Sequence, residues 1–199
     1  MGTNKTRMRD SKILIGAALL TALLSKPAIT PGSGPAETME VLGFILIASC
    51  AIGRIYSTLF IGGIKSEKLV TIGPYSMCRN PLYFFSLLGA AGIGMLSGEL
   101  SLFVFLTGGF IFIYHSLIQR EEEFLSQKFG SEFTTFCATT PRLMPDIHKY
   151  AAPEEVTLQT LFVNKAVRDA TWWFVALPVF EIIGYVHDKD ILKPLFTLI

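Results

Sequence analysis

The chain has 199 residues, of which 51% are hydrophobic and 17% are charged, and its mean hydropathy is +0.49. This composition is too apolar for an ordinary soluble domain, and the apolar residues occur in long blocks that predict membrane helices. The formal net charge of +1 is uninformative about nucleic acid, but no basic run supports such a partner, so we expect none. The three cysteines and three histidines lie at no metal-ligand spacing, so we expect no metal centre and no disulfide framework.

Two membrane helices are predicted in the first part of the chain. A basic tail precedes the apolar run 13–29, as in a signal peptide, but Ser25-Lys26-Pro27 interrupts any convincing cleavage site. We therefore predict an uncleaved first membrane helix. The Pro- and Gly-containing loop 30–38 leads to a second span over 39–61. Near the end of that span we expect Arg54 to extend toward the interface, with a role in a site as the alternative.

A polar junction, residues 73–83, lies between apolar blocks and opens a third predicted span over 81–96. Asn80 followed by Pro81 is a strong helix start. Asn can cap unpaired backbone N–H groups, and Pro lacks the N–H that would be unpaired at the first helical position. A helix N-terminus beside Arg79 is a suitable place to hold an anion.

A tight helical hairpin follows the junction. The third span turns at Ser97-Gly98-Glu99, and a fourth span is predicted over 100–118. Small residues of the third span permit close helix contact, and they are Gly89, Ala90, Ala91, Gly92 and Gly94. A second polar cluster, residues 119–123, is thereby expected to return to the surface that carries the junction.

The distribution of Lys and Arg predicts which side of the membrane holds these clusters. These residues concentrate in the N-terminal tail, in the connector 64–80, which contains Lys65, and after residue 119. The loops 30–38 and 97–99 have none. By the positive-inside rule, the N-terminus and both polar clusters are predicted to be cytoplasmic, where they can form one site.

The last part of the chain is more polar. Residues 120–150 are too polar to span, and we predict short amphipathic helices at the interface. A surface helix is predicted over 151–170. The apolar run 171–186 is a further candidate span, although Pro178 and Glu181 weaken it.

The predicted fold is therefore an all-α integral membrane protein with about five transmembrane helices, a tight helical hairpin and a cofactor pocket at the cytoplasmic face. Residues 1–38 would form the tail, first membrane helix and loop. Residues 39–150 would form the core with helices two to four and the interfacial segment. Residues 151–199 would form a surface helix and a last span.

Three motifs follow one another across roughly residues 40–147. Their order and spacing together are specific, although each motif alone is weak. They are Gly73-x-Tyr75-x-x-x-Arg79-Asn80-Pro81-x-Tyr83, Glu121-Glu122-x-x-Leu125-x-x-x-Phe129-Gly130-x-x-Phe133 and Pro141-Arg142-x-x-Pro145. This arrangement resembles the isoprenylcysteine carboxyl methyltransferase family, whose wider group includes the membrane phospholipid methyltransferases.

The resemblance implies S-adenosylmethionine as cofactor, held at the cytoplasmic face, and a lipid or lipidated acceptor that enters from the bilayer. Asn80 stands where the carboxyl methyltransferases usually have His and matches the Asn-Pro-x-Tyr of the phospholipid N-methyltransferases. Those enzymes typically continue with a Gly-Ser segment, whereas this chain has Phe84-Phe85-Ser86-Leu87. The resemblance thus specifies the cofactor better than the acceptor. Arg79, Glu122 and Arg142 are the expected catalytic residues.

The chemistry of the side chains agrees with that cofactor. A guanidinium such as Arg79 can hold a carboxylate in a fork of hydrogen bonds, and a glutamate can accept from the ammonium or the ribose hydroxyls. Tyrosines offer aromatic faces to adenine or to the sulfonium. The expected cofactor-binding residues are Tyr75, Arg79, Asn80, Pro81, Tyr83, His115, Glu121 and Glu122.

Several candidate residues have alternative explanations. Arg79 can simply be a positive-inside anchor, and Asn80-Pro81 a plain helix cap. His115 shares a helix face with Glu122 and can line the pocket, or it is an interfacial histidine bonded to backbone. Arg142 either orients an acceptor carboxylate or contacts lipid headgroups. The run 121–123 can also be a solvated helix end, and we expect Glu123 to be solvated in any case.

Two alternative functions stay open. A sterol-type membrane reductase, which would bind NADPH, has a similar Arg-His-Pro-Asn-Tyr element but generally needs more spans. The other is a non-catalytic membrane scaffold of the same fold. Asn80 supports this alternative, because it stands where the carboxyl methyltransferases usually have His.

Overall fold

The apolar blocks of the sequence become helices in the computed structural model, which describes residues 2–64, 67–156 and 158–199. Lys65 of the predicted connector lies outside these residues. The elements, in chain order, are α1 (Gly2–Leu24), β1 (Ser25–Pro27), α2 (Gly34–Ile61), α3 (Pro74–Met77), α4 (Pro81–Leu96), α5 (Leu100–Phe129), α6 (Ser131–Thr139), α7 (Thr160–Thr171), α8 (Ala176–Asp188) and β2 (Phe196–Leu198). Short 3-10 turns lie at Ile147–Lys149 and Trp172–Val175.

Three helices of the described residues are long and apolar enough to cross a membrane. They are Gly34–Ile61, Leu100–Phe129 and Thr160–Asp188, the last made of α7, a 3-10 turn and α8. α4 is a shorter apolar helix. The helical, membrane-type architecture is thus confirmed, whereas the count of five spans, the cofactor pocket at the cytoplasmic face and the division at residues 38 and 150 stay predictions.

Close packing of α4 on α2 forms the centre of the bundle. A Cβ atom on Gly92 would lie 2.7 Å from the carbonyl oxygen of Gly43, and one on Gly43 would lie 2.9 Å from the carbonyl oxygen of Gly92. Only glycine permits this approach of two backbones. α4 also packs on α5 through the predicted hairpin, which is confirmed, and Gly98 adopts the positive φ of 68° that the turn requires.

One end of the bundle, which we call the connector end, holds residues 62–64, 67–80 and 119–151. The Arg79 N–H donates to the carbonyl of Pro141 at 2.8 Å, and the Asp146 N–H donates to the carbonyl of Met77 at 3.0 Å. The Gly73 N–H donates to the carbonyl of Ala151 at 2.7 Å. Nη2 of Arg79 in the junction also lies 3.4 Å from Oε1 of Glu122 in the second polar cluster, which confirms the prediction that both clusters return to one surface.

The opposite end, which we call the hairpin end, holds residues 25–33, 97–99 and 188–199. Here β1 pairs in parallel with β2, and the Ser101 N–H donates to the carbonyl of Ile199 at 2.6 Å. Glu99 is only 2% exposed, and its Oε1 accepts from the Ser25 hydroxyl at 2.7 Å. Burial raises the pKa of the Glu99 carboxyl, and the charge of His187 opposes that rise.

The predicted bounds of the first and fourth membrane helices are wrong. α1 begins at Gly2 and stops at Leu24, short of the predicted 29, because Pro27 disfavours helix at the residues before it. α5 continues through the residues predicted to be interfacial and ends at Phe129. Glu, Gln, Leu and Lys dominate this extension and favour helix, and Gly130 then ends it with a φ of 54°.

The surface helix predicted from residue 151 is also wrong in its first half. α7 begins only at Thr160, since the backbone of Ala151 pairs with Gly73 and Pro153 follows. Pro178 does not interrupt the last helix, because it is the third residue of α8, where an N–H has no intrahelical partner.

Candidate functional site

Asn80 begins α4, as the sequence predicts, with Pro81 as the first helical residue. The predicted side-chain cap is wrong, because the Asn80 amide forms no cap bond and its Nδ2 donates to the carbonyl of Arg142 at 2.9 Å. The backbone carbonyl of Asn80 accepts from the N–H groups of Tyr83 and Phe84. The amide therefore joins the start of α4 to the segment that follows α6.

Glu122, on α5, lies between two arginines. Its Oε1 is 3.4 Å from Nη2 of Arg79, and its Oε2 is 2.8 Å from Nη2 of Arg142. The side chains of Arg79 and Glu122 are only 14% and 18% exposed, and that of Arg142 is 36% exposed. Three separate segments thus bring the expected catalytic residues together in what we call the charged cluster, while their catalytic roles stay predictions.

The charged cluster has buried polar atoms that the described residues leave without a hydrogen-bond partner. They are Nε of Arg79, Nε of Arg142 and Oε1 of Glu122. A buried donor or acceptor left unpaired costs about 1–3 kcal/mol. A ligand that carries both a carboxylate and an ammonium would offer partners to these atoms, its carboxylate to the guanidinium donors and its ammonium to the Glu122 oxygen.

Tyr75, on α3, is buried against Phe60 and Val70. Its ring therefore belongs to the core and does not present the face that the sequence predicts. The Tyr75 hydroxyl is buried and has no hydrogen-bond partner among the described residues. Burial, with the negative charge of Glu121 nearby, raises the pKa of Tyr75, so the hydroxyl stays a donor.

Tyr83, on the first turn of α4, forms an aromatic wall with Tyr114 of α5. Their ring centroids are 5.2 Å apart, and Tyr114 stacks on Phe110 at 3.9 Å. Leu143, the neighbour of Arg142, packs against the same cluster. The wall therefore adjoins the charged cluster. Sequence analysis missed Tyr114, which a helical period counted back seven residues from Glu121 would have found.

Tyr83 and Tyr114 also line a cleft of about 290 Å³. Its described lining comes from α1, α2, α4 and α5 and comprises Met8, Ser11, Lys12, Ile15, Arg54, Tyr83 and Tyr114. Arg54 does not extend to the interface as expected. Its Nη1 donates to the carbonyl of Leu82 at 3.4 Å and to the hydroxyl of Ser86, because these acceptors on α4 satisfy it within the bundle.

The remaining candidates, His115 and Glu121, are not members of the charged cluster. His115 is exposed and its Nε2 lies 3.1 Å from Nε2 of Gln119, so the structure does not bring it into the cluster. Glu121 is half-buried, and its negative charge contributes to the raised pKa of Tyr75. Glu123 is exposed, as predicted.

The described residues offer neither a metal site nor a reactive thiol beside Asn80. Within residues 2–64, 67–156 and 158–199, no group of three or more His, Cys, Asp or Glu side chains is placed to hold a metal ion. Cys78, two residues before Asn80, is buried, and this raises the pKa of its thiol to about 12. A thiolate nucleophile is therefore not available at Cys78 near neutral pH.

Comparison with known proteins gives three matches. Residues 38–132 match the family model described as phospholipid methyltransferase, a range that contains Arg79 and Glu122 but not Arg142. The chain is 30% identical over 180 residues to the cobalt-zinc-cadmium resistance protein CzcN of Cupriavidus metallidurans, covering 90% of this chain and 83% of that protein. It is 27% identical over 160 residues to the nickel-cobalt-cadmium resistance protein NccN of Alcaligenes xylosoxydans xylosoxydans, covering 80% and 75%.

Proposed function

Because the chain belongs to the phospholipid methyltransferase family, we propose that it transfers a methyl group from S-adenosylmethionine to a lipidic acceptor at the cytoplasmic face of a membrane. The acceptor would be an isoprenylcysteine-like carboxylate or a lipid head group. The observation that carries this proposal is the meeting of Arg79, Glu122 and Arg142 beside the first turn of α4.

The chemistry of the charged cluster suits the amino-acid end of this cofactor. Arg79, at the N-terminal end of α4, would hold the carboxylate, and its unpaired Nε supports that assignment. Glu122 would accept from the ammonium, with Glu121 as a second acceptor nearby. When bound, S-adenosylmethionine would supply a methyl group on a sulfonium, an electrophile for in-line attack.

The other residues of the site would position the reactants and exclude water. Asn80 fixes the backbone of Arg142, and Arg142 would then orient an anionic group of the acceptor. Tyr83 and Tyr114 would form one water-excluding wall of the site. Such a wall would help to hold the two bound groups in the alignment on which methyl transfer depends. A carboxylate acceptor needs no base, whereas an amine would lose a proton, for which Glu122 is the nearest acceptor in the charged cluster.

Binding of labelled S-adenosylmethionine to the purified full chain in detergent tests the proposal. We expect saturable binding that weakens at least about tenfold in Arg79→Gln, since a charge-assisted fork is lost. Arg120→Gln removes an exposed arginine one residue before Glu121 and serves as the matched control. A folded chain that binds NADPH but not S-adenosylmethionine would instead favour the reductase, and one that binds neither would favour the scaffold.

The names of the two relatives support a second, physiological proposal. Both are described as metal resistance proteins, and they align with most of this chain. We propose that methyl transfer by this protein contributes to tolerance of cobalt, zinc or cadmium. A strain that lacks the protein should then grow less well on these metals, and the parent sequence but not Glu122→Gln should restore growth. Equal restoration by both would separate metal tolerance from methyl transfer.

A further inference from the structure

The cleft lined by Tyr83 and Tyr114 differs in character from the charged cluster. α1 makes its main helix contact with α5, while α2 packs on α4, and the cleft lies between these two pairs. Its described lining is apolar at Met8 and Ile15 and polar at Ser11, Lys12 and Arg54. A ligand that fits this lining has an apolar part and a polar head.

The charges of the cleft are of one sign. Among the described residues that line it, Lys12 and Arg54 are cationic and none is acidic. Nε of Arg54 is buried and has no partner in the described part of the chain, although its Nη1 is bonded to α4. An arginine held in place with an unused donor, next to a lysine, complements an oxyanion such as phosphate or carboxylate.

The cleft is also adjacent to the site of the proposed reaction. Tyr83 lines the cleft, and its cluster includes Leu143, which neighbours Arg142 of the charged cluster. Tyr83 therefore links the cleft that contains Arg54 to the side chains beside the proposed cofactor site.

We propose that this cleft binds the anionic head of a lipid, with Arg54 and Lys12 as its cationic ligands and Met8 and Ile15 against the lipid chain. That this lipid is the methyl acceptor rests on the proposed function; the binding site itself does not. The oxyanion chemistry is shared by lipid head groups and by free anions, and the apolar lining favours the lipid.

Binding of short-chain lipids to the full chain in maltoside detergent, measured by titration calorimetry, tests the proposal. The probes are dioctanoyl phosphatidic acid, dioctanoylglycerol, which has the chains without the phosphate, and inorganic phosphate. The variants are Arg54→Gln and Lys12→Gln. Arg168→Gln is the matched control, because Arg168 is exposed on α7 and pairs with its neighbour Asp169.

We expect the phosphatidic acid to bind more tightly than either other probe. Arg54→Gln should weaken its binding about tenfold. Lys12→Gln should weaken it by less, because Lys12 is exposed, and Arg168→Gln should leave it unchanged. Arg54 contacts α4, so its replacement by glutamine can affect folding. Lys12→Gln, which leaves that contact in place, and Arg54→Lys, which keeps the charge, are therefore tested beside it.

Three results would overturn the proposal. They are phosphatidic acid binding that neither Arg54→Gln nor Lys12→Gln changes, equal affinity for dioctanoylglycerol, and displacement by inorganic phosphate at equal concentration. S-adenosylmethionine binding is measured on the same samples. If it is absent while Arg54-dependent lipid binding persists, the proposed function fails and the lipid site stands.

Discussion

Nδ2 of Asn80 donates a hydrogen bond of 2.9 Å to the carbonyl oxygen of Arg142, which lies 62 residues later in the chain. This bond fixes the backbone of Arg142 at the start of α4, while the Arg142 side chain pairs with Glu122 on α5. Asn80 is therefore better described as a residue that positions Arg142 than as a helix cap.

Replacement of Asn80 by leucine, which has a similar shape but no donor, should leave the Arg142 carbonyl unpaired. We expect methyl transfer to fall about tenfold, in proportion to one lost hydrogen bond. Asn80→His should retain most of the activity, because an imidazole N–H can donate to the same carbonyl. Transfer of labelled methyl groups into membrane lipid measures both variants. Equal activity of Asn80→Leu and the parent would show that this bond does not position Arg142.

Replacement of Glu122 by glutamine should remove the carboxylate between Arg79 and Arg142. The two guanidiniums would then face each other without compensation, and binding of S-adenosylmethionine should weaken at least about tenfold. Equilibrium dialysis with labelled cofactor measures this change. Glu123→Gln alters an exposed residue beside it and should bind like the parent. The same loss in both variants would indicate a general effect on α5 and contradict a specific role of Glu122.

The sequence predicts the charged cluster well because its parts depend on local signals. The start of α4 follows from Asn80-Pro81, and the hairpin at 97–99 returns α5 to the same end of the bundle. The partner of each side chain does not follow from such signals. Helical periodicity places His115 and Glu122 on one face, yet Arg142 pairs with Glu122 while His115 stays exposed. The position of Arg142 depends on where the segment after α6 folds.

The cleft and the inward position of Arg54 could not be predicted for a similar reason. A lone arginine near a span end is usually satisfied by water or lipid heads, and sequence alone does not reveal that Ser86 on another helix accepts from it. Tertiary contacts between distant residues decide this feature. The same is true of β1 and β2, which pair residues from opposite ends of the chain.

The close approach of α2 and α4 predicts a position-specific effect on stability. Gly92→Ala would place a Cβ atom 2.7 Å from the carbonyl oxygen of Gly43, so the helices must separate. We expect a loss of about 1–3 kcal/mol in the free energy of unfolding, the usual cost of overpacking. Gly108→Ala, on α5, meets no atom within 4 Å and should be neutral or slightly stabilising. Thermal unfolding in detergent compares the two, and equal midpoints would contradict the packing.

Glu99 predicts how stability depends on pH at the hairpin end. Its Oε2 is buried and has no partner among the described residues, while Oε1 accepts from Ser25. Burial thus favours the neutral carboxyl and raises the pKa above the ordinary value of 4.5. In the unfolded chain the carboxyl ionises first as the pH rises, so the folded state then binds more protons than the unfolded state.

The free energy of unfolding should therefore be highest below pH 4.5 with respect to this group, and it should fall as the pH rises toward the pKa of the folded state. The slope from one group is at most about 1.4 kcal/mol per pH unit. Glu99→Gln keeps an acceptor for Ser25 but cannot ionise, so its unfolding midpoint should lose this part of the pH dependence. Thermal unfolding of both proteins between pH 4.5 and 7 measures the difference. Parallel curves would mean that Glu99 carries the same charge in the folded and unfolded states, and its burial beside Ser25 would then have no effect on its ionisation.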